Sequence, residues 1–266
     1  MLLIVYIPVN AIELNGDFVQ GGLLFGQAEE NENVFVDGKL VAKTGDNKFI
    51  IGLDRDFASV LPVTVVSAKG ETVLEYEIAK REYKIQKIEG IAKAIMNPSA
   101  ESITRARKEN GLVAKARSVV SQQPYYEAGF SWPLVGPITG VYGSQRVYNG
   151  VPKRPHYGVD VAAPTGTPVT APAPGIVRLA YDNMFFSGGT LIIDHGFSLS
   201  SSFLHLSKML VEEGDYVDSS TTVALVGATG RVTGPHLDWR MNWRKQRIDP
   251  QMLVPAMASL RKEKSK

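Results

Sequence analysis

Residues 154–177 read RPHYGVDVAAPTGTPVTAPAPGIV, and residues 233–243 read TGPHLDWRMNW. In both stretches, short apolar or β-branched runs alternate with Gly and Pro, which is typical of strands that bend or end quickly. Runs of the same kind recur outward from these stretches, between Phe130 and about Val254. We therefore predict an antiparallel β-sheet domain over residues 125–256.

The first third of the chain also has β character. Over residues 17–89, β-branched or aromatic runs are separated by turn residues, and both Asp37-Gly38 and residues 45–47 are hairpin signals. We predict a small antiparallel β-sandwich-like domain over residues 13–90. Because the first 155 residues contain no His, this region is interpreted as a scaffold, a lid or a binding module.

One amphipathic helix is predicted between the two β-rich regions. Asn97 is expected to cap it, with Pro98 at the first helical position and Glu101 near the positive end of its dipole. Apolar residues recur on one helical stripe: Ile103, Ala106, Leu112, Val113, Ala116 and Val120. Residues 91–124 are therefore predicted as a helical connector. The predicted fold class is mainly β, with an N-terminal sandwich-like domain, a connecting α-helix and a C-terminal antiparallel sheet domain.

The chain ends and the charge limit the classes of function. The run MLLIVYIPVNAIELNG at residues 1–16 fits either an opening β-strand or, over residues 1–12, a secretory signal-peptide remnant. Residues 257–266 are predicted to be a charged tail. No later apolar stretch approaches the ~20 residues of a membrane span, so no transmembrane span is expected. A net charge of +2 in 266 residues does not indicate a nucleic-acid partner.

Cysteine is absent, which excludes a disulfide framework, a thiolate nucleophile and a cysteine-ligated metal. A metal site in this chain must therefore use His and carboxylates. The chain has four His residues, and all of them lie between residues 156 and 236. Because they are so few, each one is a candidate for chemistry.

His156 and Asp160 are the first candidate pair. In an extended strand, residues four apart lie about 13 Å from each other, too far to share a metal. A turn at Tyr157-Gly158 that leads into a strand near Val159 would bring them together. Without that turn, the spacing of His156 and Asp160 is coincidental and does not indicate a metal site.

His236 and Asp238 are the second candidate pair. Residues two apart in a strand point to the same face about 7 Å apart, so both can enter one cleft while Leu237 and Trp239 face the other way. The alternative is a polar surface edge or a hydrogen bond between the two side chains.

The remaining polar candidates have weaker signals. His205, in SSFLHLS (201–207), is either a buried structural residue or a catalytic one, and His195, in IIDHG, is interpreted as a turn or supporting residue. Other polar residues near these segments either orient ligands or are ordinary surface residues: Arg154, Asn183 and Arg240. A zinc hydrolase needs about three N/O ligands and further proton-transfer groups. One set of residues supplies them: His156, Asp160, His205, His236 and Asp238.

Several blocks in a fixed order make a more specific pattern than any single pair. They are GVYGSQR (140–146), the opening stretch 154–177, GGTLIIDHG (188–196), SSFLHLS (201–207), VALVGATGRVTGPHLDW (223–239) and RIDPQML (247–253). Together they resemble the lysostaphin-like, LytM-type zinc metallopeptidases of the duplicated hybrid motif fold, which cut the peptide cross-links of bacterial peptidoglycan. The resemblance covers nearly half of the chain.

The resemblance implies a role for each candidate. In that family the His and Asp of H-x-x-x-D bind zinc, which corresponds to His156 and Asp160. The catalytic His of the strand segment corresponds to His205, and the first His of the final H-x-H corresponds to His236. Asp238 stands where the third zinc ligand, a His, is expected. A carboxylate can also bind zinc, so the implied metal ligands are His156, Asp160 and Asp238.

The departure at Asp238 leaves two functions open. Two carboxylates and one His neutralise a divalent ion, so a bound water should be less acidified than usual, and Mn²⁺ is a second choice after one Zn²⁺ per chain. The first function is a periplasmic or cell-envelope zinc endopeptidase acting on peptidoglycan stem peptides. The alternative is a zinc-less, degenerate LytM-type protein that binds the cell wall and activates an amidase.

Overall fold

Two antiparallel sheets make up most of the N-terminal region. The computed structural model describes residues 12–90 and 99–257, so the predictions for residues 1–11, for Asn97 and Pro98, and for residues 258–266 lie outside the described residues. One sheet has the strand order β1-β2-β5 and the other β4-β3-β6-β7. The strands are β1 (Glu13–Gly16), β2 (Leu23–Gln27), β3 (Asn33–Val36), β4 (Lys39–Leu40), β5 (Lys48–Gly52), β6 (Val60–Ser67) and β7 (Gly70–Glu77).

The two predicted hairpin signals have different outcomes. Asp37 and Gly38 both have positive φ, and they join β3 to β4 with Val36 opposite Lys39, as predicted. Residues 45–47 form a turn, but they do not form a hairpin. Strand β4 before this turn pairs with β3, whereas β5 after it pairs with β2 in the other sheet. The turn therefore carries the chain from one sheet to the other.

The connecting helix α1 spans Ala100–Ser118. It is capped by Ser99, whose hydroxyl accepts a hydrogen bond from the Ser102 backbone N–H at 3.2 Å. The buried face of this helix is shorter than the apolar stripe predicted from the sequence: Ile103, at its start, is 39% exposed, whereas Ala116, near its end, is buried. The helix packs near strand β14 (Gly175–Met184) of the C-terminal region, where Ala116 joins a small apolar cluster with Leu179, Met184 and Ile192.

The C-terminal region is built on an eight-stranded antiparallel sheet. Its order is β18-β14-β15-β16-β20-β12-β9, with β21 paired to β20. The strands are β9 (Ile138–Gly140), β12 (Val159–Ala162), β14 (Gly175–Met184), β15 (Gly188–Asp194), β16 (Leu199–Leu206), β18 (Tyr216–Val217), β20 (His236–Trp243) and β21 (Gln246–Ile248). A three-stranded sheet accompanies it: β13 (Pro168–Thr170), β17 (Lys208–Met209) and β19 (Thr222–Leu225). Short 3-10 helices lie at Tyr125–Ala128 and Pro250–Met252. The mainly β fold class is thus confirmed.

The two regions pack against each other through strands and through a shared core. Strand β8 (Ile85–Ile88) pairs in parallel with β10 (Gln145–Tyr148), which pairs with β11 (Val151–Pro152). One buried apolar cluster runs through both regions. Gly52 of β5 is so close to Trp243 and Ile248 that a Cβ atom at this position would overlap the Trp243 side chain. None of the described helices is both long enough and apolar enough to cross a membrane.

Candidate metal and catalytic centre

The backbone bend at Gly158 brings His156 and Asp160 together. Gly158 is a bend residue and β12 begins at Val159, as the sequence predicted. The His156 backbone is held by two hydrogen bonds, from its N–H to the Ser144 carbonyl and from the Gly143 N–H to its own carbonyl, both 2.8 Å. As a result, His156 Nε2 lies 3.2 Å from Asp160 Oδ1.

Strand pairing places the second carboxylate beside this pair. In the antiparallel register of β12 and β20, Asp160 lies opposite Asp238 and Ala162 lies opposite His236. The alternate residues Leu237 and Trp239 are fully buried on the apolar face of the sheet. The predicted alternation of β20 is therefore confirmed, with His236 and Asp238 on the polar face.

Two glycines make room for the carboxylates. A Cβ atom at Gly140, opposite Asp160 on β9, would overlap the Asp160 carboxylate. A Cβ atom at Gly158 would lie 2.5 Å from the Trp239 carbonyl oxygen and 2.7 Å from Asp238 Oδ1. Both positions therefore require a residue without a side chain.

His205 and His236 face this cluster with the same ring nitrogen. His205 Nδ1 donates to the Thr229 carbonyl, and His236 Nδ1 donates to the Gly234 carbonyl, both at 2.9 Å. Because a carbonyl only accepts hydrogen bonds, each ring carries its proton on Nδ1 when neutral, which leaves Nε2 as an acceptor. The ring centroids are 5.0 Å apart. His205 Nε2 lies 4.0 Å from Asp238 Oδ2, and His236 Nε2 lies 3.8 Å from Asp160 Oδ1.

The backbone of His205 has an unusual conformation. Its φ is +67°, in the left-handed region that non-glycine residues rarely adopt. The conformation is held by its N–H, which donates to the Ser187 carbonyl at 2.8 Å. Strain of this kind persists where the surrounding structure fixes it, and it is concentrated at functional sites.

Burial and neighbouring charges shift the pKa values of His205, His156 and Asp238 in different directions. Burial lowers the pKa of His205, which favours the neutral imidazole at pH 7. Burial also opposes the charged form of His156, but the neighbouring carboxylates Asp160 and Asp238 outweigh it and raise its pKa. Burial alone would raise the pKa of Asp238, but the adjacent Arg240 guanidinium holds it well below its usual range.

The contact between Arg240 and Asp238 was not predicted from the sequence, which left Arg240 as either a ligand-orienting or an ordinary surface residue. Its Nε donates to Asp238 Oδ1 at 2.9 Å, and its Nη2 donates to Oδ2 at 2.5 Å, so the guanidinium holds both carboxylate oxygens. The Asp238 side chain is 3% exposed, and that of Arg240 is 26% exposed. The spacing of two residues on one strand face was the available signal for this pair.

The other polar candidates lie outside this cluster of contacts. His195 is fully buried, and its ring contacts the Pro174 carbonyl and the Ser201 hydroxyl, both at 2.7 Å. Asn183 accepts a hydrogen bond from Arg105 through its carbonyl, and Arg154 is exposed. His195 is therefore a structural histidine of the core.

The residues present fit a small divalent cation. His156 Nε2 and Asp160 Oδ1 are buried and lack hydrogen-bond partners among the described residues. Their 3.2 Å separation is close to the roughly 3.3 Å between two ligands of a tetrahedral zinc ion. The candidate ligand atoms of His156, Asp160 and Asp238 all lie within 4.8 Å of one another. Asp238 would have to share its oxygens between a metal and Arg240.

Comparisons with known proteins show what this chain is similar to. Residues 154–250 match the model of peptidase family M23. The peptidoglycan DD-endopeptidase ShyA of Vibrio cholerae is 38% identical over 105 residues, which cover 40% of this chain and 24% of ShyA. The DD-carboxypeptidase/endopeptidase Mpg of Neisseria meningitidis is 36% identical over 97 residues, which cover 36% of this chain and 22% of Mpg. The chain thus matches about a quarter of the length of these curated relatives.

The fold comparison extends beyond the matched segment. A crystal structure of a Pseudomonas aeruginosa protein described as a peptidase M23 superimposes with a TM-score of 0.69 and 27% identity, covering 88% of this chain and 94% of that one. The likeness in fold therefore extends beyond residues 154–250. Residues 154–250, which are 97 of the 266 residues of the chain, thus match peptidase family M23.

Proposed function

We propose that this chain is a zinc-dependent endopeptidase that hydrolyses peptide cross-links of bacterial peptidoglycan, at the periplasm or cell envelope where that polymer lies. The observation that carries the proposal is the position of two imidazoles beside the candidate metal ligands: His205 Nε2 lies 4.0 Å from Asp238 Oδ2, and His236 Nε2 lies 3.8 Å from Asp160 Oδ1. The names of the relatives ShyA and Mpg support the choice of substrate.

The chain's own residues would divide the proton transfers between them. A zinc ion held by His156, Asp160 and Asp238 would supply Lewis acidity to the scissile carbonyl and to a water molecule. His205, kept neutral by burial, accepts the proton of the attacking water at Nε2 and later passes it to the leaving amine. His236, which is the more exposed of the two rings, donates from Nε2 to the oxyanion when protonated.

Arg240 changes the charge balance expected from the sequence. Two carboxylates and one guanidinium together carry −1, the same charge as a set of two His and one carboxylate. The ionised Asp238–Arg240 pair thus counts electrostatically as a neutral ligand. We therefore expect Arg240 to offset the loss of water acidification that Asp238 alone would cause.

The test is digestion of a purified cross-linked muropeptide dimer. Wild-type protein supplied with zinc is expected to release monomers whose summed mass exceeds that of the dimer by one water, whereas His205→Ala is expected to release them at least about 10²-fold more slowly. Chelation should stop the reaction, and added zinc should restore it. Intact dimer after incubation of zinc-loaded wild-type protein would contradict the proposal.

A second candidate function is favoured by one specific contact. Both oxygens of Asp238 already accept hydrogen bonds from Arg240, which would suit a zinc-less, degenerate protein that binds the cell wall and activates an amidase. The two candidates differ in zinc content. A chain that binds no zinc yet stimulates a cell-wall amidase would favour the second.

A further inference from the structure

Three arginines lie on one polar face beside the candidate metal centre. Arg240 on β20 lies opposite Ser202 on β16, and Asn242, two residues further along β20, lies opposite Arg247 on β21. Because residues opposite each other share a sheet face, Arg240 and Arg247 project from the same face. The third arginine, Arg117, comes from the last turn of α1.

Hydrogen bonds fix these side chains on that face. Arg117 Nη2 donates to the Ser202 hydroxyl at 2.8 Å, and Arg247 Nη1 donates to Asn242 Oδ1 at 2.9 Å. The Arg240 guanidinium lies against Asp238. The Nε atom of Arg117 is buried and has no hydrogen-bond partner among the described residues. The face therefore holds oriented guanidinium groups with donor capacity to spare.

The positive charge on this face exceeds the negative charge that matches it. Within residues 12–90 and 99–257, the only ion pair made by these three arginines is that of Arg240 with Asp238. Burial and then the charges of Arg240 and Arg154 lower the pKa of Arg247 to about 10. Burial and then Arg247 and Arg240 lower the pKa of Arg117 to about 9. The like charges oppose one another, and a bound anion would relieve that repulsion.

The three arginines lie next to the candidate metal centre, so an anion bound to them would lie where the substrate is expected. Arg240 touches the candidate ligand Asp238, and the Arg247 guanidinium lies 5.7 Å from the ring centroid of Tyr157, the neighbour of His156. An anion held here is adjacent to the proposed reaction centre. We propose that Arg247, with Arg240 and Arg117 behind it, forms a subsite for a carboxylate of the peptide substrate, so that the protein selects acidic over amidated stem peptides. This inference rests on the proposed function and names the chemistry of its substrate.

Direct binding tests the subsite without relying on turnover. The full chain carrying His205→Ala is titrated calorimetrically with the stem tetrapeptide L-Ala-γ-D-Glu-meso-diaminopimelate-D-Ala and with the same peptide in which the free side carboxyls are carboxamides. A charge-assisted contact should make the acidic peptide bind about tenfold more tightly. In the His205→Ala, Arg247→Gln double variant, both peptides should bind with the same Kd.

Matched variants separate charge from folding. Arg247→Lys keeps the charge and should keep most of the preference. Arg244→Gln removes a nearby arginine whose guanidinium contacts the Leu40 carbonyl and the Trp243 ring instead, and it should leave the preference unchanged. Far-UV circular dichroism and melting curves identify a variant that fails to fold. If Arg247→Gln does not fold, the test uses Arg247→Lys, and complete loss of the preference for the acidic peptide in that folded variant would contradict the subsite.

The outcomes distinguish this inference from the proposed function. Equal binding of the two peptides by the His205→Ala protein, or an unchanged preference in the Arg247→Gln variant, would overturn the subsite. Inorganic phosphate that binds as tightly as the acidic peptide would overturn the assignment to a peptide carboxylate. If the preference depends on Arg247 but zinc-loaded wild-type protein cleaves no dimer, the subsite stands and the proposed endopeptidase activity fails.

Discussion

The two faces of strand β20 have opposite compositions and opposite roles. One face presents Leu237, Trp239, Met241 and Trp243 to the core, all 0–3% exposed. The other presents His236, Asp238, Arg240 and Asn242 to the candidate site. Because side chains alternate between the two faces of a strand, these eight residues supply four buried core side chains and two of the five candidate site residues, His236 and Asp238. Stability and activity should therefore respond to different residues of one strand.

The largest expected effect separates the polar face from the core. Replacement of His205 or His236 by Ala should lower muropeptide hydrolysis by about 10²–10⁴-fold, because the first removes the proton-transfer group and the second removes the donor to the oxyanion, while the melting temperature changes little. Hydrolysis rates and differential scanning calorimetry on the same samples measure both quantities. A variant that lost stability in proportion to activity would remove the distinction between the two faces.

The converse change is expected from the apolar face. Trp239 is fully buried and packs edge-on against Trp132, with ring centroids 5.7 Å apart. Trp239→Ala should reduce the free energy of unfolding by about 3–5 kcal/mol, because it removes buried area and leaves a cavity. Urea denaturation measures this loss, with Trp239→Phe as the milder control. A loss of less than about 1 kcal/mol in Trp239→Ala would contradict the packing argument.

His195 is a buried structural histidine, and it can be compared with His205 and His236 of the candidate site. Burial lowers its pKa to about 4, compared with about 6.5 in an unfolded chain. Between pH 6.5 and pH 4 the unfolded state therefore binds the additional proton, and stability should fall by roughly 3 kcal/mol as the pH is lowered. Unfolding free energies measured from pH 7 to pH 4 test this expectation. The His195→Gln variant should lack this part of the pH dependence, and an identical slope in both proteins would contradict it.

The smallest expected effect concerns the room left for Asp160. Gly140→Ala should destabilise the fold by about 1–3 kcal/mol, because the new methyl group overlaps the Asp160 carboxylate, and it should weaken zinc binding about tenfold by displacing a ligand. Gly45→Ala is the control, since nothing lies within 4 Å of a Cβ atom there. Chelator competition measures the affinity. Equal zinc affinity in both variants would show that Asp160 does not need this space.

Sequence reasoning succeeded where a local rule determines the geometry. The turn at Gly158 and the alternation of β20 follow from glycine placement and from the two-residue period, so the proximity of His156 to Asp160 and the faces of β20 could be predicted. The whole fold class could be predicted for the same reason. Strand partners depend instead on contacts distant in sequence, and the turn at residues 45–47 therefore passes between sheets.

The parts of the site that could not be predicted depend on tertiary contacts. The positive φ of His205 is held by a hydrogen bond from its N–H to the carbonyl of Ser187, which lies in the connection between β14 and β15. Arg240 was only one of three nearby polar residues, and its bidentate contact with Asp238 depends on rotamers that the sequence does not specify. The described helix is capped by Ser99, and the predicted cap, Asn97, lies outside the described residues.

The central claim is that the polar face of β20 completes a metal site despite Asp238. Elemental analysis of protein purified without chelator or affinity metal tests it most directly. We predict about one zinc per chain in the wild type and none in His156→Ala, with both proteins equally folded. Wild-type protein that contains no zinc, even after soaking in zinc and dialysis, would contradict the claim and show that Arg240 keeps Asp238 from binding metal.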